Sequence, residues 1–229
     1  MLIPTNTLQA MEEATFMQQR GGELGAIFTI INANGIRLDT SYGSIVFESK
    51  AKNAFVYNSQ NKVYCKARQK LLLAKLRRIK PAEWSHDNNF KILSWKKVKN
   101  EKMFGIDTDV YELRAQKPKN DSEFEFLVIR VNYAKNVKLP PNIDLIFPLT
   151  QEFGKKVGFP LRIETKLVTK DHDGNVKDVN KLINWETKTY KLGKIPGDKE
   201  FKVPPGYKLV TNEYNVILSG NSALEDAYK

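Results

Sequence analysis

The stretch ETKTYKLGKIPGDKEFKVPPGYKLV, Glu186 to Val210, limits the fold of this chain more than any other. Ile183, Trp185, Thr187 and Thr189 alternate with Asn184, Glu186, Lys188 and Tyr190, the period-two signal of a half-exposed strand. Gly193 is expected to break it. Pro196, Pro204 and Pro205 cannot donate ladder hydrogen bonds, so Ile195 to Val203 is expected as an extended edge or as a cover crossing a sheet, not as a central strand.

The rest of the chain repeats the β signal with two or three interruptions. Thr7 precedes Leu8, Met11, Ala14 and Phe16 or Met17, with Glu12 and Glu13 early and Gly21-Gly22 after, which reads as an amphipathic helix over residues 8 to 20. A meander follows: Ala26 to Ile31, a hairpin turn at Asn34-Gly35, Ile36 to Thr40, Ser44 to Glu48, Ala54 to Tyr57, a turn at 58 to 61, and Lys62 to Cys65. Residues 66 to 80, KARQKLLLAKLRRIK, then carry strong helix formers, the apolar set Leu72, Leu73, Leu76 and Ile79, and seven basic residues up to the stop at Pro81. A packed helix with a solvated basic face, a membrane-surface helix, a lid and a nucleic-acid contact are all open readings of it.

Strands resume at Phe90 to Trp95, Thr108 to Ala115 and Phe124 to Tyr133; the run FLVIRV predicts a strand covered on both faces. Pro140-Pro141 opens a second helical candidate, 142 to 156, with Pro148 inside it. Leu161 to Val168 alternates cleanly as a strand with one wet side, and its hairpin closes through Asp171-His172-Asp173-Gly174-Asn175.

The chemistry legible in these residues is sparse. No Walker loop, GxGxxG, GxSxG or HExxH is present, and no residue is assigned a catalytic role, so an enzyme is not expected. Cys65, the single cysteine, excludes an intramolecular disulfide and reads as a small core thiol; neither His86 nor His172 pairs with it in sequence. DHDGN fails as a calcium loop, because setting Gly174 at the turn position puts Thr169 first and Asn180 last and loses the bidentate glutamate. No metal or cofactor is expected. Aromatics beside cations, Tyr64 with Lys66 and Trp95 with Lys96 and Lys97, lack RNP-like surroundings, so packed strand aromatics are the expected reading over nucleic-acid binding. The net charge of +11 leaves a solvated surface or a functional basic face open.

At 229 residues the chain can bury roughly 70% of its unfolded surface, enough for a sizeable core. Three parts are expected: an N-terminal helix over 1–22, one sheet domain over 23–215 and a tail over 216–229. The N-terminus lacks the pattern of a signal peptide, so a periplasmic or envelope location is expected only if an export signal preceded Met1.

Taken in order, the N-terminal helix, FVYNSQNKVY, the interposed helix, GIDTDVYEL, GFPLRIETK and KIPGDKEFKVPPGYKLV resemble the LolA and LolB lipoprotein-carrier superfamily over most of the chain. The resemblance implies a mainly β fold: a strongly curved antiparallel sheet forming a half-open barrel, its concave face covered by helices around an apolar cavity for acyl chains. It implies a non-catalytic carrier of a lipid, lipoprotein acyl chain or other hydrophobic ligand, with an anionic membrane surface or an envelope protein as partner. On that reading Leu72, Leu73 and Leu76 form a lid over Phe28, Ile30 and Phe147, while Arg77, Arg78 and Lys80 point outward to a membrane. The alternative is an envelope interaction protein with a filled core and a basic surface for an acidic partner.

Overall fold

The computed structural model describes residues 11–21, 25–41, 43–49, 53–68, 91–120, 123–137, 139–140, 158–197, 199–211 and 216. They form one curved, open sheet of twelve strands, antiparallel except where the short last strand pairs with the sixth. The strands are β1 (Met11–Gly21), β2 (Gly25–Asn32), β3 (Gly35–Thr40), β4 (Gly43–Glu48), β5 (Asn53–Asn58), β6 (Val63–Arg68), β7 (Lys91–Met103), β8 (Ile106–Asn120), β9 (Glu123–Ala134), β10 (Phe159–Asp171), β11 (Val176–Pro196) and β12 (Lys208–Leu209).

Their order, β12-β6-β5-β4-β3-β2-β1-β11-β10-β9-β8-β7, is two meanders joined where β1 pairs with β11. One meander runs from β1 to β6 and the other from β7 to β11. The seam brings the first described strand against the last long one, Met11 opposite Pro196 and Gly21 opposite Trp185.

That seam overturns the helix expected over 8 to 20. Residues 11 to 21 are β1, because Ala14 and Phe16 on one side and Thr15, Met17 and Gln19 on the other satisfy period two as well as a helical spacing. Pairing on both edges, with β2 and β11, then decides the matter over local propensity. Gly21 makes room for Trp185: a Cβ there would lie 2.6 Å from the indole Cε3.

Alternation divides the side chains between two faces. The core face carries the larger buried cluster, with Met17, Ile27, Ile31, Ile36, Phe47 and Val56 from the first meander and Leu113, Leu127, Ile129, Val131, Leu161 and Trp185 from the second. The reverse face of the first meander carries a smaller one: Ala14, Ile30, Val46, Tyr57, Ile195 and Phe201. Burying each such large side chain contributes about 1.5–3 kcal/mol.

The reverse cluster is closed by the segment after β11. A single 3₁₀ turn, Lys199–Phe201, drives the buried Phe201 onto Gly35, where a Cβ would lie 2.8 Å from the phenyl ring, while Arg37 bonds Glu200 at 2.8 Å. Val203 and Tyr207 extend the cover, Tyr207 meeting Tyr57 edge-on at 5.6 Å. The chain then pairs β12 in parallel with β6, and by Val216 it is on the core face, where Asn58 Nδ2 donates to the Val216 carbonyl at 3.3 Å. Beyond β11 the prolines of this segment thus mark a cover that crosses the sheet, one of the two readings the sequence allows.

Gly193 does not interrupt β11, which continues to Pro196; the Phe16 ring of β1 lies over the glycine, 2.9 Å from where a Cβ would stand. Nor is β9 covered on both faces. Leu127, Ile129 and Val131 are buried on the core face, but on the reverse face Arg130 is exposed and Val128 only half-buried. Cys65 is a buried thiol in β6, as expected. Of the helix expected over 66 to 80, Lys66 to Arg68 continue β6, and the remainder, like the helix over 142 to 156, lies outside the described residues.

Candidate ligand-binding face

Of the residues expected to line a ligand site, Leu72, Leu73, Leu76 and Phe147 lie outside the described residues, as do Arg77, Arg78 and Lys80. Phe28 and Ile30 are described, and they stand on the reverse face. Ile30 pairs with Phe16 and joins the cluster under Phe201; Phe28 is partly exposed and packs on Phe16 at 6.3 Å between centroids. The strands place both away from the larger cluster.

On the core face, registers between β7 and β11 align two apolar rows. One runs Trp95, Leu113, Ile129, Thr165, Leu182; the other Ile92, Ala115, Leu127, Leu167. Their middle members are buried, but Ile92 remains 54% exposed and Leu182 46%, so apolar surface reaches solvent at both ends of the rows. Trp95 stacks on Tyr111 at 5.4 Å, and Tyr111 meets Tyr133 edge-on at 5.9 Å. These separations suit favourable aromatic pairing.

Polar groups on this face fall into two kinds. Some are satisfied: Thr29 Oγ1 donates to Gln19 Oε1 at 2.7 Å, Gln19 Nε2 donates to Thr187 Oγ1 at 2.8 Å, and Thr165 Oγ1 donates to Asn184 Oδ1 at 2.6 Å. This buried ladder ties β2, β1 and β11 across the seam, and β10 to β11. The Tyr133 hydroxyl is different, being buried without a hydrogen-bond partner among the described residues. Burial, and secondarily Tyr111, raises its pKa well above the usual phenol range, so it remains a protonated donor. An unmet buried hydroxyl costs about 1–3 kcal/mol.

Directly opposite Tyr133 is Asp109, whose Oδ1 is ion-paired with both Lys97 Nζ at 2.8 Å and Lys135 Nζ at 3.1 Å. Burial pushes the Asp109 carboxyl up, but the bonds from Lys97 and Lys135 outweigh it and hold the pKa below the usual range. Among the described residues, two half-exposed ammonium groups therefore share one carboxylate, leaving one positive charge in excess beside the aromatic group. The sequence sets Trp95 beside Lys96 and Lys97, but no spacing in it brings Asp109 to them. A bulge between Lys97 and Lys99 turns Lys97 onto this face; without it Lys97 would pair with Glu112 on the reverse side.

The Asp171 loop is a closed hairpin turn. Asp171 Oδ1 accepts from the Asn175 amide at 2.8 Å, and Gly174 takes a positive φ of 84°.

No family model and no curated protein matches this chain. Among solved structures it is similar to a LolA superfamily protein from Nitrosomonas europaea, with 11% identity over 85% of this chain and 91% of the other and a TM-score of 0.23. It is also similar to a Vibrio parahaemolyticus domain whose name assigns it to outer membrane lipoprotein sorting, with 9% identity over 81% and 86% of the two chains and a TM-score of 0.19. These values are too low to support a functional argument.

Proposed function

We propose that this protein binds a hydrophobic ligand with an acidic or strongly polar head, non-covalently, on the core face of β7–β11. The observation that carries the reading is the juxtaposition of three features among the described residues: apolar rows ending in exposed Ile92 and Leu182, the Tyr133 hydroxyl without a partner there, and the lysine pair that outnumbers Asp109. An acyl chain along the rows would be held by apolar burial, worth about 0.8 kcal/mol per methylene. A carboxylate or phosphate at the head would accept from Lys97, Lys135 and Tyr133, and charge-assisted bonds are the stronger kind. Binding and release without covalent change is the role of a carrier or a buffer of such molecules, and lipids or lipoprotein acyl chains are the class that fits.

Native mass spectrometry of the full chain, paired with organic extraction, tests this. Recovery of an acidic amphiphile, displaced by added fatty acid, supports the proposal. A ligand-free protein that takes up no added fatty acid overturns it and favours a filled core serving a structural role.

A further inference from the structure

The reverse face of the second meander suggests a separate activity that does not rest on the ligand reading. Its registers give three neighbouring rows across β7 to β11. The first is Lys96, Glu112, Arg130, Glu164, Ile183; the second Ser94, Arg114, Val128, Lys166, Lys181; the third Lys91, Gln116, Phe126, Val168, Val179.

Acids in these rows are already engaged. Glu112 receives Arg114 and Arg130 at 2.7 and 2.6 Å, and Glu164 receives Arg162 and Lys181 at 3.1 and 3.3 Å. Cations outnumber them, and among the described residues no ion pair is seen for Lys91, Lys96 or Lys166. Lys166 stands directly opposite Lys181, an unfavourable cross-strand pairing of like charges whose counter-charge is Glu164, ion-paired with Lys181.

The third row adds an apolar strip beside these cations. Phe126, Val128 and Val168 are half-buried, Val179 is 51% exposed and Val176, opposite Lys170, is 55% exposed. Lys170 closes the far side, its ammonium 5.5 Å from the Phe126 ring centroid. Apolar side chains flanked on both sides by lysine and arginine match the interface of an anionic bilayer: the valines enter the headgroup boundary and the cations meet lipid phosphates. A nucleic acid would match the charge but leave the exposed valines without a partner.

We propose that this face docks on the surface of an anionic phospholipid bilayer through Val176, Val179, Lys166, Lys170, Lys181 and Arg114. The test is co-sedimentation of the full chain with phosphatidylcholine–phosphatidylglycerol vesicles against phosphatidylcholine alone. The parent should bind the anionic vesicles only, less as salt rises. Each basic group near such a surface is worth about fivefold, so K166Q with K181Q should weaken binding about thirtyfold. The double variant should fold, since it removes a like-charge contact together with one exposed ion pair, Lys181–Glu164, of small worth, and a melting curve verifies it. Lys62→Gln with Lys208→Gln, exposed lysines beside the opposite edge of the sheet, should change binding far less. Val179→Asp should also weaken vesicle binding. No binding by the parent, equal losses in the two lysine pairs, or tight single-stranded oligonucleotide binding indifferent to Val179→Asp would each overturn the proposal.

Discussion

Replacing Glu112 by Gln is the sharpest test of how the second meander is held together. The Glu112 side chain is 2% exposed and takes Arg114 Nε at 2.7 Å and Arg130 Nε at 2.6 Å. A hydrogen bond to a charged group contributes about 1.5–3 kcal/mol. Both arginines are about half exposed, which lets water screen and rehydrate them and argues for the low end. Glutamine keeps one acceptor but no charge, so the expected loss is about 2 kcal/mol, or roughly 4–8 °C in Tm for a chain of this size.

Urea denaturation with an unchanged m-value measures that loss, and pH separates it from a packing defect. Burial pushes the Glu112 carboxyl up, but the bonds from Arg130 and Arg114 more than offset it and set the folded pKa below the ordinary 4.5. A depressed folded pKa stabilises fully above the unfolded value and is lost as pH falls through the folded one. The gap between parent and variant should therefore be full near neutrality and close under acid. A variant within about 0.5 kcal/mol of the parent at neutral pH, or a gap that persists in acid, refutes the ion-pair reasoning.

Three other substitutions probe distinct parts of the molecule. Phe201→Ala empties the plug of the reverse-face cluster and should cost about 3–5 kcal/mol in urea denaturation, with β12 pairing lost in amide exchange. Gly35→Ala places a Cβ 2.4 Å from the Phe47 carbonyl oxygen and 2.8 Å from the Phe201 ring; the neighbouring backbone cannot yield cheaply, so a loss of about 1–3 kcal/mol is expected in thermal melts. Tyr133→Phe removes an unmet hydroxyl and should raise stability by about 1 kcal/mol while weakening binding of an acidic amphiphile. If it destabilises, the hydroxyl has a partner in the folded protein.

Most strands were legible because turn chemistry punctuates them. The hairpin through 171–175 falls where the sequence puts it; the turn expected at 58–61 lies one residue later, at 59–62, and the first hairpin turns at Ala33-Asn34, one residue before the expected Asn34-Gly35. What failed did so for want of non-local information. Residues 11 to 21 fit helix and strand periods alike, and only partners in β2 and β11, the latter more than 160 residues away, decide between them. Gly193 reads as a breaker until Phe16 is known to lie over it. The grouping of Lys97, Asp109, Tyr133 and Lys135 depends on a bulge, and no composition or spacing rule announces a bulge at Lys97. The reverse-face rows were equally hidden: charge was visible in the total, but its segregation beside Phe126 and Val179 follows from strand register.

The proposed core-face site is tested most directly by titrating the full chain with a fluorescent fatty acid and repeating the titration on Leu182→Ser combined with Lys97→Gln. Saturable one-to-one binding by the parent, weakened at least about tenfold in the double variant while its melting curve holds, is the predicted result. Absence of saturable binding in the parent, or binding that the double variant retains in full, would contradict it.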